Sequence, residues 1–163
     1  MAVNSIFNRF EAAETMTTAQ LESLVDGDLW HSEAITESDL ATTIFVKFWY
    51  SLVWASAPTV SDKIEFMLIS SDQATSPIWP GALPAAEGVL DATSDAQQLL
   101  LIGDNVDVVK TITSSGSTTL TQTGEFTVQN PSPSWKLLIK PTGEALGTGN
   151  VIRYRKFSPQ GQS

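Results

Sequence analysis

The sequence predicts an all-β fold: an antiparallel β-sandwich or jelly roll of about eight strands, with an N-terminal arm and a short helix in front of it. Three observations carry that prediction. Apolar residues alternate with polar ones at period two in several segments. Clusters of Gly, Pro, Ser and Asn, such as "SSGS", "QNPSPS" and "KPTGEALGTGN", separate those segments. Strands do not alternate with long helices, as a parallel α/β sheet would require. The length of 163 residues fits one domain of ordinary size, and 42% apolar with 17% charged residues is a folding composition.

Taken in order, residues 1–25 form the arm. Ile6, Phe7 and Phe10 are its apolar residues, and they need a surface to lie on, either the chain's own domain or a neighbouring subunit. In "TTAQLESLV", Thr17 and Gln20 form a weak capping box, and Leu21, Leu24 and Val25 share a helical stripe. From residue 26 to 163 the pattern is β, with strands expected at 28–35, 42–55, 63–70, 97–102, 106–114, 117–129, 134–140 and 150–157. In "TTIFVKFWYSLVWA" (42–55) the even positions Ile44, Val46, Phe48, Tyr50, Leu52 and Trp54 make a wholly apolar face. The odd face holds Phe45, Trp49 and Val53, so it too needs cover, from the 71–96 segment or from another subunit. Ile64, Phe66 and Leu68 share a face, as do Trp135, Leu137 and Ile139. Residues 71–96 form one long connection with Ile78 and Trp79 between Pro77 and Pro80. A connection of this length is an interaction element or a lid on the domain's own core. At the C-terminal end, Arg153 and Arg155 project from one strand face and call for an acidic partner.

Composition narrows function. With no cysteine there are no disulfides and no thiolate chemistry. A net charge of −9 argues against nucleic-acid binding. The charge is uneven: residues 1–40 hold one base (Arg9) and eight acids, whereas residues 136–163 hold five bases and one acid, Glu144. Solvated surfaces explain this, and so does head-to-tail pairing between copies. No eighteen-residue apolar run and no signal-peptide pattern is present, so a membrane partner is not expected and synthesis is expected in a cytoplasm.

His31 is the only histidine, in "DGDLWHSEAI". A triad would have to use it, and zinc would lack further His or Cys ligands. "GDNVD" (103–107) reads as a turn. None of the phosphate-loop, nucleotide, nucleophile-elbow or zinc-protease motifs occurs. The expectation is a non-enzyme with no metal and no cofactor. Trp54 and Trp135 fall on core faces. Trp30, Trp49 and Trp79 could instead form a sugar platform or protein-contact anchors.

At "LWHSEAITESDLATTIFVKFWY" the chain resembles small β-sandwich proteins of tailed-bacteriophage virions. In those a short "SEAI"-like strand, a polar turn and a long β-branched strand are followed at the end by a strand of the V-x-V-R-Y-R kind, here Val151 to Arg155 ("VIRYR"). The resemblance spans roughly residues 30 to 157. It implies a structural role: a capsid decoration or cement protein in the virion, with the major capsid protein and copies of itself as partners. A tail, collar or head–tail adaptor subunit is the alternative within that class, and a carbohydrate-binding module the alternative outside it. The expected contact residues are Phe7, Phe10, Phe45, Trp49, Ile78, Trp79, Arg153 and Arg155.

Overall fold

The computed structural model describes residues 6–36, 45–73, 75–116, 118–129 and 133–161. Its elements run β1 (Ile6–Phe10), β2 (Glu14–Thr15), a 3-10 turn (Ala19–Leu21), β3 (Leu29–His31), β4 (Ile35–Thr36), β5 (Phe45–Val53) and β6 (Lys63–Ser71). A second 3-10 turn (Pro80–Ala82) follows, then β7 (Gly88–Leu90), helix α1 (Ala96–Gly103), β8 (Asp107–Thr113), β9 (Thr121–Gln129), β10 (Ser134–Thr142) and β11 (Val151–Gly161).

Four antiparallel pairings nest one inside the next: β1 with β11, β3 with β10, β5 with β9, and β6 with β8. Pairing of β11 with β5 joins the first and third into sheet A, ordered β1-β11-β5-β9. Pairing of β10 with β6 joins the second and fourth into sheet B, whose main path runs β7-β3-β10-β6-β8. A long hairpin rolled so that its pairs fall alternately in two facing sheets is the jelly roll. The short strands β2 and β4 add to β11 and β10.

The space between the sheets is filled as the alternation requires. Val46, Phe48, Tyr50 and Leu52 of β5 and Ile152 and Tyr154 of β11 meet Ile64, Phe66 and Leu68 of β6 and Trp135, Leu137 and Ile139 of β10. Phe48 stacks on Phe126 at 4.9 Å and meets Trp135 edge-on at 5.6 Å. Gly124 of β9 lies against the Tyr50 hydroxyl, and any Cβ there would collide with it.

A second apolar cluster lies on the far side of sheet B. Leu29, Met67, Ile69, Leu90 and Leu138 of the sheet are covered by Trp79, Leu83 and Ile102. The part of the 71–96 connection that carries Trp79 and Leu83 forms, with α1, a third layer over sheet B, and its β7 is the edge strand of that sheet. This corrects the expectation that the connection could cover the odd face of 42–55, which belongs to sheet A.

Three elements differ from the sequence reading. Residues 97–102 are helical: "AQQLLLIG" is rich in helix formers, and Leu99 and Ile102, three apart, face the second cluster. The expected helix after Thr17 is a single 3-10 turn. Thr18 makes no side-chain cap and donates instead to the Asn150 carbonyl, and Ser23 turns the chain with a positive φ of 63°. The strand expected at 117–129 begins at Thr121, and it pairs with β5 in sheet A while β8 pairs with β6 in sheet B, so the two strands do not form a hairpin. The arm lies on its own chain: β1 places the backbones of Phe7 and Phe10 opposite Gln160 and Phe157. Residues 42–44 of the long predicted strand fall outside the described residues.

Candidate docking face

The outer face of sheet A carries the odd positions of β5, β9 and β11. Register sets its pattern: Trp49 stands between Glu125 of β9 and Arg153 of β11, and Phe45 stands opposite Phe157. The Phe45 and Phe157 rings stack at 5.2 Å. Trp49 has a cation on each side, with Lys47 Nζ 5.2 Å and Arg155 Cζ 5.8 Å from the ring centroid. Lys47 also donates to Glu125 Oε1 at 2.8 Å, a hydrogen bond that holds the glutamate below the usual carboxylate range. Beside Trp49 lies a shallow groove of about 290 Å³, lined by Trp49, Ser51, Val151 and Arg153. Phe45, Lys47, Trp49, Ser51 and Val53 are all half-buried, against fully buried neighbours at the even positions. Among the described residues, no element crosses this face.

Of the sequence-predicted contact residues, the structure brings together Phe45, Trp49, Arg153 and Arg155 on this one surface. Ile78 is exposed on the opposite side of the molecule. Trp79 is a correction: it is 5% exposed and packs inward as the centre of the sheet B cover. Trp30 is likewise buried, and its indole N–H donates to Glu87 Oε1 at 2.7 Å. The three-tryptophan platform of Trp30, Trp49 and Trp79 therefore does not exist, because only Trp49 reaches the surface. Lys47 and Val151 also belong to the face; alternation puts Lys47 on the odd side of β5 with Trp49, but neither residue was among the expected contacts.

Among the described residues, three acids of the N-terminal segment bind loop backbone. Glu22 accepts the Gly149 and Asn150 backbone N–H groups at 2.6 and 3.0 Å, Asp26 that of Gly143 at 2.9 Å, and Asp28 that of Ala92 at 2.8 Å. These carboxylates satisfy loop donors that no strand reaches. Tyr154 donates its hydroxyl to Glu14 Oε2 at 2.6 Å.

Lys136 is the other unexpected group. It lies on the outer face of sheet B and is fully buried under the cover. Its ammonium donates to the carbonyls of Ser32, Ala85 and Ala86 at 2.7, 3.2 and 3.3 Å, and sits 5.7 Å from the Trp79 ring centroid. Burial lowers its pKa to about 8, so it remains charged at neutral pH. His31 Nδ1 lies 3.1 Å from the Ser32 carbonyl. Burial pushes this imidazole down to about 4, against the Ser32 hydrogen bond and with help from the Lys136 charge. A ring buried beside an ammonium is a poor metal ligand and has no route to a substrate. Among the described residues no three His, Cys, Asp or Glu side chains cluster as a metal site, and no helix is long and apolar enough to cross a membrane.

No protein-family model and no curated protein matches the chain. Solved structures give remote likenesses. One is a family GH115 4-O-methyl-alpha-glucuronidase with specificity for decorated arabinogalactans, at 13% identity and TM-score 0.35, over 96% of this chain and 18% of that one. The K2 cleaved adhesin domain of Lys-gingipain follows at 12% and 0.30, over 83% and 62%. The carbohydrate-binding module of Cellvibrio mixtus lichenase 5A, in complex with cellotriose, is similar at 12% and 0.28, over 91% and 86%. The chain thus spans less than two thirds of the first two. Similarities of this size carry no information about function.

Proposed function

We propose that this protein is a non-catalytic structural module, held in a larger assembly by the outer face of sheet A. In the setting its sequence resemblance implies, it is a decoration or cement protein of a tailed-phage capsid, seated against the major capsid protein in the virion. One observation carries the reading: among the described residues no element crosses the aromatic and cationic face on which Phe45, Trp49 and Val53 are half-buried, whereas the molecule covers the other sheet with its own chain. Magnitudes bear on how such a face would work. Completing the burial of Phe45, Trp49 and Val53 is worth about 1 kcal/mol each, roughly half the value for full burial. Association costs about 4 kcal/mol or more. One contact is therefore weak, and firm attachment comes from several contacts per copy or from a repeated lattice.

The test is particle occupancy of Trp49→Ala. Loss of occupancy by a variant that folds normally supports the reading, and full occupancy removes it. The groove beside Trp49 favours a second reading, a small glycan site. Since the other four tryptophans are buried, a glycan-induced change in intrinsic fluorescence reports on Trp49, and a glycan panel that causes none eliminates that alternative.

A further inference from the structure

The two long sides of the sandwich are finished differently. On one, the chain runs from β2, at the edge of sheet A, towards β7, at the edge of sheet B, where the Gln20 N–H donates to Glu87 Oε1 at 3.0 Å. Met16, Leu21 and Leu24 of this stretch are buried and close the core there. On the other side, between β8 and β9, Val109, Ile112, Phe126 and Val128 pack on the same core yet stay half-buried. Among the described residues, the chain passes between these two strands only beyond their ends, Thr113 and Thr121. The edge strands differ as well. β7 has three residues, and β1 has five with Arg9 among them. β8 is interrupted by a bulge in its pairing with β6, between Phe66 and Met67, and its Lys110 stands opposite Phe66 and so points between the sheets. Short length, an edge cation, a bulge and an inward charge are devices that keep sheet edges from pairing with other chains. β9 has none of them. All nine of its residues pair with β5 in one unbroken register, and none is Lys, Arg or Pro. Among the described residues β5 is its only strand partner, so alternate residues turn their N–H and C=O groups away from the sheet.

We propose that β9 pairs antiparallel with β9 of a second copy of the chain, about a two-fold axis normal to sheet A, so that the two sheets A become one. The proposal is independent of the docking role given to sheet A's outer face. What the edge offers is backbone donors and acceptors, and a strand is what matches them. Its outward side chains are Thr121, Thr123, Glu125, Thr127 and Gln129, which select no foreign sequence but suit cross-strand pairing with their own kind. Antiparallel pairing about that axis is self-complementary and keeps inner faces together, so Phe126 and Val128 of each copy complete the burial of the other's. Charge does not oppose it. Full overlap brings the two Glu125 carboxylates together with the two Lys47 ammoniums that bind them at 2.8 Å, a neutral group of four. β8 adds Asp107 and Lys110, one of each sign. The area suffices. Nine residues at about 3.4 Å each make an edge about 30 Å long, and two sheets about 10 Å apart with side chains outside them make it about 20 Å thick. Two copies then bury about 1,200 Å² in all, the low end for a specific dimer. The two-fold closes the contact, since each copy has one such edge and uses it.

The experiment is sedimentation of the full chain over a range of concentrations. Wild type is expected to reach a dimer and stop there. Thr123→Lys with Gln129→Lys places cations on exposed edge positions, opposite Ser51 and Phe45 and away from Lys47. This variant is expected to weaken the dimer about tenfold or more while its unfolding midpoint stays that of wild type. A second readout uses the absence of cysteine from the chain. Thr123→Cys mixed with Thr127→Cys, which stand opposite each other when all nine residues overlap, is expected to give a disulfide-linked dimer under a mild oxidant. Thr15→Cys, exposed on the far edge of sheet A, is expected to give none. A wild type that is monomeric at every concentration, or that grows beyond a dimer, overturns the proposal. So does a dimer that the two lysines leave intact, or one that does not cross-link through β9.

Discussion

The outer faces of the two sheets received different treatment. Sheet A's outer face sets Phe45, Trp49 and Val53 of β5 beside the polar Gln129, Glu125 and Thr121 of β9, and among the described residues no element crosses it. Sheet B's outer face includes Lys63, Glu65, Lys136 and Lys140 beside Met67, Ile69, Leu90 and Leu138, and much of it lies under Trp79, Leu83 and Ile102. The cover succeeds because it brings hydrogen-bond acceptors as well as apolar side chains: the Ala85 and Ala86 carbonyls, with that of Ser32, take the Lys136 ammonium. The interaction role proposed for sheet A rests on that difference in cover.

That contrast can be pressed by substitution, beginning where the effect is largest. Trp79→Ala removes the centre of the cover and is expected to cost about 3–5 kcal/mol in denaturant unfolding. Acid should expose the buried imidazole under the same cover. The folded pKa of His31 is depressed from 6.5 to about 4. The unfolded chain therefore binds the proton first, and the contribution present above pH 6.5 is lost as pH falls towards 4. The loss is about 3 kcal/mol, and His31→Gln should flatten the stability curve over that interval. If wild type and variant lose stability in parallel, the imidazole is not held neutral as described. Gly88→Ala comes next. Its Cβ would stand 2.7 Å from His31 Nε2, and forcing the two apart should cost about 1–3 kcal/mol. Trp49→Ala on the open face is the smallest, within about 1 kcal/mol, since it gives up a half-exposed ring and its cation contacts. A cost for Trp49 equal to that for Trp79 would erase the distinction between the two faces.

The strands were legible where alternation is clean. β5, β6, β10 and β11 lie close to where the pattern put them, and their inward residues Phe48, Phe66, Leu137 and Ile152 form the core. Helix α1 was not legible, because the four-residue apolar run Leu99 to Ile102 has no period that separates strand from helix. What decides it is Leu99 and Ile102 reaching the second cluster, a tertiary fact. Nor could the cover be assigned to the right sheet. Parity along β10 puts Lys136 on an outward face that looks solvated, and its buried acceptors come from residues about fifty and a hundred positions away. Half of the candidate site was readable for the same reason the core was: Phe45 and Trp49 share parity on β5, and Arg153 and Arg155 on β11. That β5 and β11 are neighbours is set by the nested pairing, which no local pattern encodes.

The central claim is that the open face of sheet A holds the molecule in its assembly. The most direct measurement is the copy number per purified particle of Trp49→Ala combined with Arg153→Glu, set beside a stability curve of the same variant. The account predicts a protein that unfolds within about 1 kcal/mol of wild type and is largely missing from particles. A variant of wild-type stability that still occupies them fully would contradict it.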